Sequence, residues 1–344
     1  MTIKDIARLS GCGTATVSRV LNGHSDVSDA TRARVLAVVK EQDFQLNRNA
    51  KRLKQQASAG VALLLTGPQN MLYPPLAEQL QFLLHTEGLH SAVHYLDGEE
   101  DETAYAARLC QEQKPLGIFF LGGDLARFRA GARRVTVPAV LLTASARGLD
   151  HPRLSSLSID DRAAAAQAID HLAELGHRQI GILGGPAGGG ISALRLAGCE
   201  DGFARHGLPF DRARQYETCR YAMGDGYRAA VALLDRAPEL TALFAMSDVM
   251  ALGAIRALAD RGLQVPRDLS VMGFDGIPMA RYSLPRLTTI SQDVQQLAGD
   301  GVRALLDGIR TGTARHETVP FHLLPGESTA PPAGHSDQKG GDAP

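Results

Sequence analysis

Residues 1–46 carry apolar side chains at helical spacing in three segments, separated by Gly11-Cys12-Gly13 and by Asn22-Gly23. Thr14 and Ser28 are predicted as the N-caps of the second and third helices. This order of helix, tight turn, helix and supporting helix predicts a helix-turn-helix unit. The positions predicted to face its common core are Ile3, Ile6, Ala7, Ser10, Val17, Val20, Leu21, Val35, Val38 and Val39.

The second helix is the predicted DNA-reading element, because in such units its N-terminal residues meet base edges in the major groove. Arg19 can bond guanine O6 and N7, and Thr14 and Ala15 can contact bases or a thymine methyl group. The charge distribution points the same way. Residues 1–56 carry ten Lys/Arg and five Asp/Glu, a net charge of +5, whereas the remainder carries −6. A purely structural trio of helices is the alternative interpretation.

From residue 60, short apolar runs alternate with helical patterns, which predicts parallel sheets covered by helices on both faces. The predicted strands are 61–66, 92–96, 117–121, 139–142, 179–184, 243–246 and 270–274, and the predicted helices include 163–175, 194–206, 226–235 and 249–261. Two sets of strands predict two similar lobes, with a ligand between them at the carboxyl ends of the strands. The segment 325–344, rich in Gly, Pro, Ser and Asp, is predicted to be disordered.

Composition excludes several classes of protein. The chain of 344 residues is 44% hydrophobic, yet it has no run of 18 apolar residues, so no membrane helix is predicted. The N-terminus lacks the pattern of a secretory signal. Four cysteines lie far apart without metal-ligand spacing, so neither a zinc site nor a disulfide framework is expected. A reducing cytoplasm is the expected location.

Enzyme motifs are weak, and neither catalysis nor a cofactor or metal is expected. Gly188-x-Gly190-x-x-Ala193 imitates a dinucleotide fingerprint, but Pro186 separates it from the strand and no acidic residue follows at the right distance. It is interpreted as a loop at the mouth of the cleft. Asp160-Asp161 could be a paired acid, although an N-cap for the helix at 163–175 is the preferred interpretation.

The head of the chain closely resembles that of the lac-repressor (LacI/GalR) family of bacterial transcription regulators. The resemblance rests on Thr2-Ile3-Lys4-Asp5-Ile6-Ala7, on Thr16-Val17-Ser18-Arg19-Val20-Leu21-Asn22 and on Asp26-Val27-Ser28. The chain departs from the family at Cys12-Gly13, where Val-Ser is usual, and at Leu46, where Pro is usual. The first change concerns the turn and the second concerns the start of the linker.

This resemblance implies a helix-turn-helix domain at 1–46 and a hinge helix at 47–57 that forms only on operator DNA. Leu53 would wedge into the minor groove, where an apolar wedge unstacks a base step and bends the duplex. The alternative for 47–57 is a solvated basic linker. The DNA contacts that the resemblance implies are Thr14, Ala15, Thr16, Ser18, Arg19, Asn22, Asn47, Ala50, Lys51, Leu53 and Lys54.

The resemblance continues through the body. The matching segments are Ile169-Asp170-His171-Leu172, Leu175-Gly176-His177-Arg178-Gln179-Ile180, Arg195-Leu196-Ala197-Gly198, Ser247-Asp248, Val271-Met272-Gly273-Phe274-Asp275 and Leu287-Thr288-Thr289-Ile290-Ser291-Gln292-Asp293. It implies the two-lobed α/β fold of the periplasmic sugar-binding proteins, with three crossovers between the lobes. The implied effector-binding and dimerisation domain is 58–324, with an N-lobe at 58–160 and 292–321 and a C-lobe at 161–290 and 322–324.

The family's effector positions correspond to a set of polar and aromatic residues. They are Tyr73, Leu76, Arg195, Tyr221, Ser247, Asp275 and Gln292. Their chemistry suits a polyol, because a carboxylate accepts from hydroxyls, a guanidinium donates to them and an aromatic ring packs on C–H groups. The alternatives are that Asp275 is a helix cap and that Arg195 forms a surface ion pair.

The expected function is a homodimeric repressor of sugar-utilisation genes. A mono- or disaccharide would bind one arrangement of the lobes better than the other and so release a palindromic operator. Tetramers of the family that the chain resembles use a leucine-heptad tail, and residues 325–344 have almost no leucines, so the resemblance implies a dimer rather than a tetramer. The alternatives are a co-repressor-dependent regulator, a sugar-binding transport protein and, less favoured, a sugar-active enzyme.

Overall fold

The computed structural model describes residues 3–21, 27–42, 60–67, 69–149, 151–186 and 190–333. They belong to two compact units, one within Met1–Ala57 and the other within Ser58–Pro344. The two units are called the head and the body, and each is described by itself.

The head contains the three predicted helices, α1 (Ile3–Ser10), α2 (Thr14–Leu21) and α3 (Asp29–Glu41). Their shared core consists of buried Ile6, Ala7, Val17, Val20 and Val35, with Leu21, Val38 and Val39 packed partly buried against it. The predicted core face is therefore confirmed for these residues, while the side chain of Ile3 lies outside the description. Ser10 is also buried, and its hydroxyl donates to the Ile6 carbonyl at 2.7 Å.

The predicted helix caps of the head need correction. Thr14 is already the first residue of α2, and it is the Gly13 carbonyl that accepts the first helical hydrogen bond, from the Val17 N–H at 3.0 Å. Ser28 does occupy the N-cap position of α3, but its hydroxyl pairs with Thr31 Oγ1 at 2.9 Å and makes no bond to the helix backbone.

The N-lobe of the body is a six-stranded parallel sheet in the order β11-β5-β4-β3-β1-β2. Alternate residues of its central strands face two hydrophobic layers, as the two-residue period of a strand requires. Leu63 and Phe119 face one layer, whereas Leu64 and Phe120 face the other. The elements are β1 (Gly60–Thr66), α4 (Tyr73–Thr86), β2 (His90–Leu96), α5 (Glu102–Glu112), β3 (Gly117–Leu121), α6 (Leu125–Gly131), β4 (Ala139–Leu142), β5 (Leu154–Ser158), α12 (Val294–Thr311) and β11 (His316–Thr318).

The C-lobe repeats this plan with a second six-stranded sheet, in the order β12-β10-β9-β8-β6-β7. Its strands are parallel except for β12, which pairs antiparallel with β10. The elements are α7 (Asp161–Glu174), β6 (Ile180–Gly184), α8 (Gly190–Arg205), α9 (Arg212–Gln215), β7 (Tyr216–Thr218), α10 (Met223–Arg236), β8 (Ala242–Ala245), α11 (Asp248–Asp260), β9 (Ser270–Asp275), β10 (Thr288–Gln292) and β12 (Phe321–Leu324).

The chain passes between the lobes three times, after β5, after β10 and between β11 and β12. The two-lobed α/β class with parallel sheets is thereby confirmed. Because both sheets carry helices on both faces, central strands such as β3 and β4 are almost continuously apolar, and every residue of these two is buried. None of the helices that the structure describes is long and apolar enough to span a membrane.

The expectation of disorder from residue 325 is wrong for residues 325–333. Ser328 is fully buried, and its hydroxyl donates to the Val271 carbonyl at 2.6 Å. The Ala330 carbonyl lies 2.9 Å from His177 Nε2. These hydrogen bonds hold the segment beside β9. Although the segment is polar in composition, Ser328 and the Ala330 carbonyl are therefore bonded to the protein rather than only to solvent. Residues 334–344 lie outside the description.

Candidate functional site

Five of the seven predicted effector residues converge where the two lobes face each other, around the carboxyl ends of the strands. Asp275 ends β9 and Gln292 ends β10, while Tyr73 begins the helix that follows β1. Arg195 lies within α8 and Tyr221 follows β7. This is the place where parallel α/β sheets bind ligands, since the loops that leave the strands there are free to carry polar side chains.

Arg195 is the centre of this cluster, and it is 4% exposed, so the surface ion pair is excluded. Its Nε–H donates to Asp161 Oδ1 at 2.8 Å, and one terminal nitrogen donates to the Met246 carbonyl. The other terminal nitrogen lies 3.8 Å from Asp275 Oδ1. Burial disfavours the charged guanidinium, but the carboxylates of Asp161 and Asp275 outweigh it, so the pKa of Arg195 is raised.

Asp275 and Gln292 present hydrogen-bond acceptors that no described residue satisfies. Gln292 Nε2 donates to Asp275 Oδ1 at 2.9 Å. Asp275 Oδ2 and Gln292 Oε1 are both buried, and neither has a hydrogen-bond partner among the described residues. Buried polar atoms are nearly always paired, so two such acceptors side by side favour a ligand that donates to them. The alternative role of Asp275 as a helix cap is excluded, because its side chain receives no backbone N–H bond in the described structure.

Asp275 is also strained and electrostatically perturbed. Its φ of +112° lies in the left-handed region that a residue with a Cβ rarely adopts. Burial raises the pKa of its carboxyl to about 7, against the opposing influence of Arg195 and of the Gln292 hydrogen bond. A carboxyl with this pKa changes its charge near neutral pH. A ligand that donates a hydrogen bond to it would favour the ionised form.

Tyr73 and Tyr221 line a cavity of about 410 Å³ to which both lobes contribute. Burial raises the pKa of Tyr73 to about 12, so its phenol stays neutral. The Tyr221 hydroxyl lies 2.9 Å from Ser192 Oγ. A Cβ on Gly185 would come within 2.2 Å of both of those oxygens, so a glycine is needed there for the pair to form.

The mouth of this cavity is more acidic than basic. Asp97 and Glu99 reach it from the N-lobe, and Asp225 and Arg220 from the C-lobe. Arg220 lies 3.6 Å from Glu99, so one exposed ion pair spans the two lobes. Thr66 Oγ1 lines the same cavity and is a further buried oxygen that lacks a hydrogen-bond partner among the described residues. Asp225 is paired with Arg228, so Asp97 is the carboxylate of this group that disfavours an anionic ligand.

The two remaining predicted effector residues, Leu76 and Ser247, are fully buried and have local structural roles. Leu76 is fully buried in the hydrophobic core beneath α4, so it does not lie on the rim of the cleft. Ser247 is fully buried as the N-cap of α11, where its hydroxyl accepts from the Met250 N–H at 3.4 Å. Leu76 is therefore assigned to packing. Ser247 caps α11 and directly follows Met246, whose carbonyl accepts from Arg195, so its contact with an effector stays a prediction.

Sequence reasoning missed the partner of Arg195. Of the acidic doublet before α7, Asp160 is the N-cap, with its carboxylate accepting from the Ala163 N–H at 3.0 Å. Asp161 instead points inward to Arg195. The doublet itself was the available signal, because one helix needs only one cap. Of the dinucleotide-like motif, Gly188 lies outside the described residues and Gly190 begins α8.

The head presents a polar face opposite its core. Thr14, Ala15 and Arg19 are exposed on α2, and Thr16 and Ser18 are partly exposed, whereas Val17 and Val20 are buried. A short helix of this kind leaves its N-terminal residues accessible to DNA. The other predicted DNA contacts lie outside the described residues; they are Asn22, Asn47, Ala50, Lys51, Leu53 and Lys54.

An apolar surface crosses one side of the body. It comprises Met71 and Phe82 from the N-lobe with Met279 and Tyr282 from the C-lobe, and it is called the apolar face. Tyr282 is 87% exposed and Phe82 is 60% exposed. Met71, Met279 and Tyr282 line one groove, and Phe82 and Tyr282 line an adjacent cavity of about 850 Å³. Exposed apolar patches of this kind mark interaction surfaces.

No metal or disulfide chemistry competes with this interpretation within the part of the chain that the structure describes. No group of three His, Cys, Asp or Glu side chains there could hold a metal ion. All four cysteines, Cys12, Cys110, Cys199 and Cys219, carry free thiols.

Comparison with known proteins agrees with both units. Residues 2–47 match the lacI family of bacterial regulatory proteins, and residues 169–329 match a periplasmic binding protein-like domain. The HTH-type transcriptional regulator MalR of Clostridium butyricum is 32% identical over 336 residues, covering 95% of this chain and 99% of that protein. The regulator MalR of Streptomyces coelicolor is 32% identical over 333 residues, covering 93% of each chain.

Solved structures are similar over nearly the whole chain. The transcriptional regulator CelR–cellobiose complex is 28% identical with a TM-score of 0.69, covering 95% of this chain and 99% of that one. The lac repressor dimer bound to operator and the anti-inducer ONPF is 26% identical with a TM-score of 0.74, covering 96% and 99%. With an exposed reading helix on one unit and an interlobe cleft in the other, the chain belongs to the lacI family of bacterial regulatory proteins.

Proposed function

We propose that the chain is a cytoplasmic transcription repressor that binds a palindromic operator as a homodimer and is released from it by a small neutral sugar. The observation that carries the effector part is the pair of buried acceptors on Asp275 and Gln292 that have no partner among the described residues. Asp275 is electrostatically coupled to Tyr73 and Tyr221, which line the interlobe cavity. In this proposal residues 1–46 read DNA, 47–57 form the hinge, and 58–324 bind the effector and dimerise.

DNA recognition is assigned to α2 and the hinge. The exposed side chains of Thr14, Ala15 and Arg19 are positioned by a helix whose opposite face is anchored by Val17 and Val20. A guanidinium on such a helix suits guanine in the major groove. The hinge residues Lys51 and Leu53 would add phosphate contact and a minor-groove wedge, respectively. The operator-bound lac repressor dimer supports this assignment by similarity.

The effector is assigned to the sugars by hydrogen-bond demand. Asp275 Oδ2 and Gln292 Oε1 need donors, and the Thr66 hydroxyl can donate or accept. A carbohydrate supplies several hydroxyl groups at fixed spacing. The cavity of about 410 Å³ lies within the range of small-molecule sites. The acidic mouth favours a neutral sugar over a phosphorylated one. Related regulators have been solved with cellobiose and with ribose.

Dimerisation is assigned to the apolar face. Its side chains come from both lobes, so burying it against a second copy removes apolar area from water and also makes the interface sensitive to the lobe arrangement. Two heads held by one two-fold axis would read a palindromic site. An effector that contacts both lobes shifts their arrangement by its differential affinity, and that shift would alter the spacing of the two heads.

Two measurements test this proposal together. Thermal-shift screening with ribose, maltose, cellobiose, trehalose and glucose 6-phosphate identifies the effector, because a ligand that binds only the folded protein raises its Tm. Gel shifts on genomic fragments, with and without that sugar, then test the repressor function. We expect a neutral sugar to stabilise wild type but not Asp275→Ala, whose operator binding stays normal. A sugar that tightens operator binding would make the protein co-repressor-dependent, and no fragment bound would contradict the proposal.

A further inference from the structure

Asp248, the first residue of α11, is a fully buried carboxylate that does not touch Arg195 or line the cleft cavity. Its Oδ2 accepts from the Ile277 N–H at 2.8 Å, and its Oδ1 accepts from the Thr289 hydroxyl at 2.6 Å. The capping of α11 is already performed by Ser247. Asp248 therefore has a task other than capping, and that task lies in the turn that follows β9.

The turn at Asp275–Ile277 has an unfavourable backbone conformation, and Asp248 holds it through a hydrogen bond to one of its N–H groups. Asp275 has φ +112° and Gly276 has φ +71°, so two successive residues occupy the left-handed region. Asp248 binds the N–H of the next residue, Ile277. A Cβ on Gly273 would lie 2.2 Å from Asp248 Oδ1, so β9 is also shaped to admit this carboxylate. Such a turn persists only where its surroundings over-determine it.

The turn joins two features of the body. On its first side is Asp275, whose Oδ2 is the unsatisfied acceptor in the cleft. On its other side, within a few residues, are Met279 and Tyr282 of the apolar face. A group that fixes the turn therefore sets the direction of the Asp275 carboxylate and the path of the loop beyond it at the same time.

We propose that Asp248 is a positioning residue that clamps the turn at Asp275–Ile277, so that Asp275 is presented to the effector and effector contact is passed to the apolar face. The assignment of an effector to Asp275 rests on the proposed function, whereas the clamp itself does not. Asp248 acts through the backbone of the turn, and no direct contact with the effector is required.

Three variants separate this role from general stability. Asp248→Ala removes both hydrogen bonds and frees the turn. Thr289→Val is the matched control, because it removes the bond at Oδ1 and leaves the Ile277 bond in place. Asp248→Asn is the conservative rescue. Its amide oxygen can keep the Ile277 bond while its NH₂ donates to Thr289, whose own proton can turn to the Ile290 carbonyl at 3.2 Å.

The first experiment needs no effector. Amide hydrogen exchange of the full chain reports the Ile277 N–H directly. We expect Asp248→Ala to speed its exchange at least tenfold, while Thr289→Val and Asp248→Asn stay within threefold of wild type. Unchanged protection of Ile277 in Asp248→Ala would overturn the clamp.

The second experiment uses the sugar that gives the largest thermal shift with wild type among ribose, maltose, cellobiose and trehalose. Its Kd, measured by calorimetry, should rise at least tenfold in Asp248→Ala and change less than threefold in the other two variants. Asp248→Ala should also abolish the sugar-induced change in exchange at 278–284. Equal losses of affinity in Asp248→Ala and Thr289→Val, in step with their Tm values, would overturn the positioning role. If no sugar shifts wild type, the proposed effector class fails, and the exchange experiment still decides the clamp.

Discussion

The guanidinium of Arg195 lies 3.7 Å from the centre of the Phe274 ring, and this contact covers one flat face of the side chain. The edge of the guanidinium is occupied by Asp161 and the Met246 carbonyl. Arg195 thus ties α7, α8, β8 and β9 together beneath the cleft. Its first role is to hold the site in shape, whereas Asp275 Oδ2 is the acceptor that the proposed ligand would meet.

Arg195→Ala should therefore act on stability before it acts on binding. It leaves the buried carboxylates of Asp161 and Asp275 without their counter-charge, which typically costs about 3–5 kcal/mol. Urea unfolding should show this as a lower free energy of unfolding of the body. Arg162→Ala is the control, because its pair with Asp201 is exposed and screened by solvent. A loss of equal size in both variants would contradict the buried role of Arg195.

Asp275 should make stability and effector binding depend on pH. Burial raises its pKa from 3.8 to about 7, so between these values the folded protein keeps a proton that the unfolded chain has lost. Stability should therefore fall as the pH rises through this window and level off above it. Sugar hydroxyls favour the ionised carboxylate, so effector affinity should rise from pH 6 to pH 8.

Asp275→Asn is the variant that checks this pH dependence. It should reduce the slope of Tm between pH 4 and pH 7 and remove the rise in effector affinity above pH 6. Asp248, Asp161 and Glu102, whose pKa values are also raised by burial, contribute to the slope that remains. Calorimetry in two buffers with different ionisation enthalpies should detect proton release on effector binding near pH 7 in wild type. An identical slope in Asp275→Asn would contradict the assignment.

The regular part of the fold is predictable because burial on both faces of a parallel sheet leaves a plain pattern. The strand 117–121 was predicted from its unbroken apolar run, and it is fully buried. The strand Leu154–Ser158 was not predicted, since three of its five residues are serines. All three serines are buried. Ser155 accepts from a backbone N–H, and Ser156 pairs with a backbone N–H and with His316, which no local pattern reveals.

The sequence predicts which residues belong to the candidate site but not what each of them does. The resemblance implies that Arg195 and Asp275 belong to one effector site, and in the structure a guanidinium nitrogen of Arg195 lies 3.8 Å from Asp275 Oδ1. Asp161 and Arg195 are separated by 34 positions in the sequence, so no helical or strand period reveals their contact, and the inward turn of Asp248 is hidden in the same way. Leu76 was misplaced because a helix position one turn into α4 faces the core.

The head should be sensitive to single core substitutions because its core is small. Ile6→Ala removes a fully buried side chain from a cluster of five buried residues and should cost about 2–5 kcal/mol. Leu36→Ala is the control, since Leu36 is 46% exposed. Gel shifts and calorimetry should show lost operator binding with the unfolding transition of the body retained. Normal DNA binding by Ile6→Ala would mean that the three helices do not depend on this core.

Phe82→Asp should weaken the dimer. Phe82 is 60% exposed in the single chain and borders the cavity that also contains Tyr282. A carboxylate placed in an apolar interface must be desolvated without a partner, so association becomes unfavourable. Sedimentation should show monomers at micromolar concentration, with the sugar-induced thermal shift preserved. Ile309→Asp, at an exposed apolar position outside these cavities, should remain dimeric. A stable Phe82→Asp dimer would place the interface elsewhere.

Arg19→Ala should separate sequence reading from general DNA attraction. Arg19 is exposed on α2 opposite buried Val17 and Val20, so truncating it leaves the core of the head intact. Loss of a bidentate contact with guanine should cost about 1–3 kcal/mol on the operator and little on random DNA. Gel shifts over a series of salt concentrations measure both quantities, with Lys40→Ala, at an exposed position near the end of α3, as the control. If Arg19→Ala lowers affinity for operator and random DNA equally and flattens the salt dependence, Arg19 contacts phosphate, because only a phosphate contact releases counterions without regard to sequence.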